Sequence, residues 1–239
     1  MKITDAVILM AGTGSRLRGS AETIAKPLIP IGGRPLISYA IDSFDQAGVE
    51  RIHAVVGPNG EELAGAVAPL LPKHIQFHPV PNQKWQKQNG VSLLMAAGKV
   101  RSPFFLAMGD HLFQPSILDS LRKSADPARL NLAIDRKIAS IFDLDDAMKV
   151  QVDGDRLVAI GKKLEEYNAI DTGIFICPES IFESLRRVMK DDDCALADGV
   201  RLMAEEGNAL AVDIGDAWWQ DVDTPEMLVR AENQIARLL

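Results

Sequence analysis

Three short apolar runs, AVILM at 6–10, IHAVV at 52–56 and FFLAM at 104–108, recur through the first half of this chain with helix-patterned segments between them. Runs this short, without polar alternation, predict strands buried on both faces. The stretches 36–47, 61–70 and 91–99 carry apolar residues at helical spacing, with Pro35 at a favourable helix start and Gly48 at a stop. Strands alternating with helices predict βαβ units, a mostly parallel sheet and right-handed crossovers. In the second half the strand candidates 131–135, 149–152, 157–160 and 173–177 lie closer together, which predicts an antiparallel extension of that sheet. The expectation is an α/β chain of one domain over 1–239, with an appended lobe and no repeat or low-complexity linker.

Composition narrows the function classes. Hydrophobic residues make up 47% and charged residues 25%, enough for a sizeable core. The net charge of −7 argues against general nucleic-acid affinity and against a polybasic membrane anchor. No apolar run approaches the roughly 18 to 20 residues of a membrane span, and residues 1–11 do not read as a signal peptide. Cys177 and Cys194 are far apart, which suits a reducing cytosol and gives no metal-binding spacing; Cys177, in an apolar run, reads as a buried structural thiol. A cytoplasmic protein acting on small molecules is expected.

Open parallel sheets bind ligands beyond the carboxyl ends of their strands. The first such end is Ala11-Gly12-Thr13-Gly14-Ser15-Arg16-Leu17. Two glycines let the backbone turn sharply and point N–H groups into an anion-binding concavity. Leu17 stands where a dinucleotide fingerprint requires its third glycine, so that class is rejected, and no Walker A sequence is present. Residues 11–35 carry Arg16, Arg18, Lys26 and Arg34 against the single acid Glu22. Lys26 precedes Pro27-Leu28-Ile29-Pro30, a stiff segment that holds its ammonium in place, whereas Arg18 and Arg34 read as solvated charge. A glycine turn with fixed Arg16 and Lys26 is what a triphosphate needs.

Two further clusters carry carboxylates. Asp110 in Met108-Gly109-Asp110-His111 ends a buried strand and is placed as a hard oxygen ligand for Mg²⁺, while His111 reads as structural. In Trp218-Trp219-Gln220-Asp221-Val222-Asp223-Thr224-Pro225, Asp221 and Asp223 share a face if the segment is extended. The same stretch resembles a helix start, so Asp223 or Thr224 is read either as a ligand or as a cap. The acidic tract Asp191-Asp192-Asp193 reads as a solvated turn.

These three clusters, in this order, resemble the sugar-1-phosphate nucleotidyltransferase superfamily, which implies a Rossmann-like fold. Gln88-Asn89-Gly90-Val91-Ser92, Met108-Gly109-Asp110-His111, Ile134-Asp135-Arg136-Lys137, Ala147-Met148-Lys149-Val150, Ile160-Gly161-Lys162 and Asn168-Ala169-Ile170-Asp171-Thr172-Gly173 are similar to the inositol-1-phosphate cytidylyltransferase family. Phosphocholine, phosphonate and hexose-1-phosphate nucleotidyltransferases are the rival resemblances, and a sensor that binds NTP without turnover is the rival from another class. The resemblance implies cytidylyl transfer from CTP (or another NTP) to inositol 1-phosphate or a similar polyol phosphate, with an NTP-binding half over about 1–125 and an acceptor half over about 126–239. It implies that Ala11, Gly12, Gly14, Arg16 and Lys26 meet the triphosphate and that Asn89 and Ser92 meet base and ribose. Asp110, Asp221 and Asp223 would hold Mg²⁺, and Lys149, Lys162, Asn168, Asp171 and Thr172 would face the acceptor. The stretch between Arg16 and Lys26 is longer than a short glycine-rich linker. No hexapeptide repeats or membrane synthase segment lie within the chain, so nucleotidyl transfer alone is expected. The acceptor phosphate is largely a dianion above its second pKa of about 6, so no general base is required.

Overall fold

A computed structural model describes residues 2–12 and 25–238; Gly14, Arg16 and Arg18 lie outside the described residues. Strand β1 (Asp5–Met10) is followed by the 3₁₀ turn Lys26–Leu28 and the small hairpin β2 (Pro30–Ile31) and β3 (Arg34–Pro35). Helix α1 (Leu36–Gln46) buries Leu36, Ile37, Ala40, Ile41 and Phe44 on one face. It stops where the sequence says it must. Gly48 adopts a left-handed φ of 79°, and the N–H groups of Gly48 and Val49 fold back onto the carbonyls of Asp45 and Phe44.

Strand β4 (Arg51–Val56), helix α2 (Gly60–Val67) with the 3₁₀ turn Ala68–Leu70, strand β5 (Gln76–Pro81), helix α3 (Asn89–Leu94) and strand β6 (Phe104–Met108) complete the first half. The expected helix over 91–99 starts earlier and gives way to turns after Leu94. Strand β5 was not anticipated, because Pro79 and Pro81 argue against a strand interior; it lies at the sheet edge, where missing N–H groups are tolerated. The second half holds β7 (His111–Phe113), α4 (Ser116–Ser124), β8 (Leu130–Asp135), β9 (Lys149–Asp153), β10 (Arg156–Gly161) and β11 (Ala169–Cys177). It ends with α5 (Ser180–Val188), α6 (Leu196–Glu205), β12 (Ala209–Asp213), β13 (Trp219–Asp221) and α7 (Pro225–Leu238).

The main sheet has nine strands in the order β5-β4-β1-β6-β11-β8-β12-β10-β9. From β5 to β6 the pairings are parallel, and β11 enters antiparallel to β6. Of the remaining pairings only β8 with β12 is parallel, so the sheet is mixed, with the antiparallel extension expected from the crowded second half. Strand β11 also pairs with β9, which closes β11, β8, β12, β10 and β9 into a ring. It is longer than the expected 173–177 because it continues through a bulge: the register shifts between Asp171 and Phe175, and Gly173 takes a φ of 73°.

Alternate side chains of each strand point to opposite faces. Val7, Phe104, Leu106 and Phe175 pack on one side with α3, α5 and α6; Ala6, Ile8, Phe105 and Ile174 pack on the other with α1, α2 and α4. A third cluster, with Ile31, Leu36, Leu112, Val222, Ala231 and Ile235, seats α7. Cys177 is fully buried, as expected of a structural thiol. Among the described residues no helix is long and apolar enough to cross a membrane.

Candidate active site

Strands β1 and β6 are parallel neighbours, so their carboxyl ends meet. There Ala11 and Gly12 follow one strand, and the chain turns at Gly109-Asp110 after the other. Glycine is required at 109: a Cβ would stand 2.6 Å from Met10 Cγ, while the Gly109 N–H donates to the Leu9 carbonyl at 3.0 Å. This close approach puts Asp110 at the head of the cleft. Lys26, on the 3₁₀ turn with Pro27 at its start, is nearly buried. Its Nζ lies 2.6 Å from Asp110 Oδ2 and also contacts Asp223 Oδ1. Burial pushes the ammonium pKa down, but the two carboxylates outweigh it and raise it.

The late tryptophan-aspartate segment reaches the same place through β13, which pairs antiparallel with β7 and sets Asp221 opposite His111. The Val222 N–H donates to the Asp110 carbonyl at 3.0 Å, docking the next residue, Asp223, beside Lys26. Thr224 takes the capping role at α7: its Oγ1 accepts the Met227 N–H at 3.3 Å and its carbonyl accepts the Leu228 N–H. Asp223 is therefore the carboxylate directed at the site. Burial pushes Asp110 up, yet His111 and Lys26 pull its carboxyl well below the usual range. Burial raises Asp221, and Asp223 and Asp110 add to that, so negative charge converges here. His111 is raised as well, because Asp110 and Asp221 outweigh its burial.

The sequence expectation places Asp110, Asp221 and Asp223 around one cation; Asp110 and Asp223 are the two whose carboxylates both reach Lys26. Among the described residues no three His, Cys, Asp or Glu side chains are grouped to hold a metal ion. Asp110 and Asp223 converge on one point, already taken by the Lys26 ammonium, while the Asp221 carboxylate accepts from Gln220 Nε2 at 3.2 Å. Two hard oxygen donors around a cation position fit Mg²⁺, which typically takes one or two carboxylates and completes its shell with water and phosphate oxygens.

A cleft of about 720 Å³ opens from this point along the sheet's carboxyl edge. At one end lie Ala11, Gly12, Trp85, Asn89, Ser92 and Leu196. Asn89 Oδ1 accepts the Leu196 N–H at 2.9 Å, and Ser92 Oγ accepts from Asn82 Nδ2 at 3.0 Å, so both side chains are held in place. Asp191 and Asp192 form the exposed turn the sequence suggested, with left-handed φ values of 51° and 60°. Asp193 does more, accepting the Gln88 N–H at 2.9 Å and so fixing the start of α3.

The other end of the cleft departs most from expectation. Asp171 lines it, aimed there by the bulge; burial pushes its carboxyl up to about 6, against the pull of the Gly173 N–H and His111. Lys162 also lines it, paired with Asp146. Lys149, Asn168 and Thr172 do not. The Lys149 ammonium donates to the carbonyls of Leu144 (2.8 Å) and Lys162 (3.0 Å). The Asn168 amide exchanges two hydrogen bonds with the Val152 backbone, and Thr172 donates to the Ala133 carbonyl at 2.8 Å. All three spend their polar groups inside the lobe. In their place stand Asp135, Lys137, Trp219, Arg230 and Gln234. Asp135 ends an apolar strand as Asp110 does, and Arg230 and Gln234 are four apart on α7, so strand-end and helix-period reasoning could have found them.

The geometry agrees with what the chain is similar to. The MobA-like NTP transferase domain matches residues 6–195. A protein of Aquifex aeolicus (strain VF5) named bifunctional IPC transferase and DIPP synthase is 30% identical over 98% of this chain and 52% of its own length. A protein of the same name from Rubrobacter xylanophilus is 33% identical over 96% of this chain and 51% of its own. The chain thus spans about half the length of these curated relatives. The solved inositol-1-phosphate CTP transferase from T. maritima superposes with a TM-score of 0.84, at 26% identity and 97% coverage of both chains. A putative glucose-1-phosphate thymidylyltransferase from Bacillus anthracis shares the fold, with a TM-score of 0.85 at 19% identity. With most of its length matched and a strand-end lysine–carboxylate centre at the head of its cleft, this chain belongs to the MobA-like NTP transferase family.

Proposed function

We propose that this chain transfers a cytidylyl group from CTP to inositol 1-phosphate, or to a closely similar polyol phosphate, releasing pyrophosphate. The observation that carries the reading is the meeting of Lys26, Asp110 and Asp223 at the mouth of a cleft that ends on Asp171. The names of the relatives direct the choice of substrates.

In this reading Ala11, Gly12, Gly14 and Arg16 would meet the triphosphate, and Asn89 and Ser92 border the base and ribose. Nucleotidyltransferases of this family generally use a divalent metal; here Mg²⁺ would be held by Asp110 and Asp223, with Asp221 behind them. When bound it supplies positive charge against the phosphate oxygens. Lys26 would offer its ammonium to the phosphates, where charge builds on the leaving pyrophosphate. The acceptor phosphate dianion is itself the nucleophile, so the residues around it only have to align two anions. Asp171 would accept from a ring hydroxyl, and Lys137, Lys162 and Arg230 offset the acceptor's charge. A cytosolic setting fits substrates of this kind.

The test is pyrophosphate release from four NTPs crossed with inositol 1-phosphate, phosphocholine and glucose 1-phosphate. CTP with inositol 1-phosphate is expected to exceed the other pairs by about tenfold or more in kcat/KM, since a pocket built to hydrogen-bond hydroxyls leaves polar groups unpaired when they are missing. A better rate with phosphocholine overturns the acceptor; no pyrophosphate from any pair overturns the activity.

A further inference from the structure

His111 opens β7 directly after Asp110, and its surroundings are more constrained than a filler histidine requires. Its Nδ1 lies 2.7 Å from Asp110 Oδ1, while Lys26 takes the other oxygen, Oδ2, at 2.6 Å. The carboxylate is thus divided: one oxygen faces the imidazole and one faces the cation position. An ionised carboxylate has no proton to give, so the ring donates through Nδ1–H.

Two other strands, β13 and β11, hold that ring. Trp219 stacks on it with centroids 5.9 Å apart and planes 19° from parallel. The indole is anchored in turn, its Nε1 donating at 3.0 Å to Asp135 Oδ2, and Asp135 is 3% exposed. On the far edge, β11 leaves room only because residue 173 is glycine: a Cβ there would stand 2.7 Å from His111 Nε2. Strand pairing sets His111 opposite Asp221.

We propose that His111 is a positioning residue for Asp110, fixing its carboxylate so that Oδ2 faces a divalent cation shared with Asp223. Carboxylate rotation about its last torsion is soft, so without the imidazole the plane of the Asp110 carboxylate is held only from the cation side, by Lys26. Partners that orient metal ligands are typically worth about 10–100-fold in metal affinity. The role of the cation in turnover rests on the nucleotidyl-transfer reading; the orientation of Asp110 does not.

The test is Mn²⁺ binding to the full chain without substrate, read by the loss of the free-ion paramagnetic resonance signal, beside thermal unfolding in chelator. His111→Ala is expected to weaken Mn²⁺ binding by about 10–100-fold. His111→Asn, whose amide can replace the Nδ1–H donor, is expected to recover most of it. Gly173→Ala, which pushes the ring from its other side, is expected to weaken binding even where folding is retained. Unchanged Mn²⁺ affinity in His111→Ala, or equal losses in the Ala and Asn variants, overturns the role, as does a wild-type chain that binds no Mn²⁺. If the expected binding pattern holds while no NTP and polyol phosphate pair turns over, the functional reading fails and the positioning role stands.

Discussion

Lys26 and Asp110 meet at 2.6 Å across 84 residues of sequence, and the ammonium they share with Asp223 occupies the point where two carboxylates converge. In the proposed reaction this ammonium would be the charge offered to the triphosphate, and in the fold it offsets two partly buried carboxylates. Lys26→Ala leaves the carboxylates facing one another without that charge. Turnover is expected to fall by about a hundredfold or more, with a smaller change in the KM for the acceptor. Thermal stability in chelator should also fall, and Mg²⁺ should restore more of it than in the wild type. Steady-state kinetics with paired melting curves check both. Arg34, exposed and paired with Asp42, should be nearly silent when replaced by Ala.

The carboxylates should rank by position. Asp110→Asn and Asp223→Asn are each expected to lower kcat by about 10²–10³, the scale of losing fixed charge stabilisation in a transition state. Asp221→Asn, whose carboxylate accepts from Gln220, should lose less. Activity should vanish in chelator and return with Mg²⁺. Equal losses at all three positions would restore the three-carboxylate arrangement.

Asp171 sets a pH dependence of stability. Its carboxyl is raised from 3.8 to about 6, first by burial. Between those values the folded chain keeps a proton the unfolded chain has released, so this group's contribution is most favourable below 3.8 and is lost as pH rises through about 6. Asp171→Asn removes that loss. Its Tm relative to wild type should rise between pH 4 and pH 7, roughly in step with that titration, while its kcat/KM for the polyol phosphate drops and its KM for CTP holds. A Tm difference that does not vary with pH would place the carboxylate in water.

Asp5 lies at the opposite end of β1 and carries the reverse sign. It is 1% exposed and accepts from Arg51 Nε and Nη2 at 3.0 and 2.7 Å. Burial raises its carboxyl, but the hydrogen bonds of Arg51, Thr4 and His53 outweigh it and hold it at about 2. The stability it contributes is complete above 3.8 and is lost as pH falls towards 2. Asp5→Ala leaves Arg51 only Glu50 at 3.7 Å and the Thr4 hydroxyl at 2.7 Å, and is expected to cost about 1–3 kcal/mol by denaturant titration, with activity per folded molecule unchanged.

Backbone pattern was the most legible layer of the sequence. AVILM, IHAVV and FFLAM form strands within a residue of where their apolar runs begin and end, because a doubly buried strand leaves little choice of composition. Asp110 and Lys26 were legible for a related reason: a strand end and a proline each fix a side chain locally. Lys149, Asn168 and Thr172 were expected to face the acceptor, but a polar residue near a site has two uses, and in the fold their polar groups bond the backbone of Leu144, Val152 and Ala133, partners that no local sequence pattern names. His111 carried no sequence signal for its neighbours, since Trp219 and Gly173 reach it only through strand pairing and a bulge.

The ring closed by β11 and β9 has a consequence at the opposite border of the sheet as well. A strand ladder can grow onto another copy only where a row of unpaired N–H and C=O groups is offered. At β9 closure takes up that row over Lys149 and Val150, and at β5 Pro79 and Pro81 interrupt it. Among the described residues, extension of the main sheet by a further strand is thus disfavoured at β5 and along the stretch of β9 that pairs with β11.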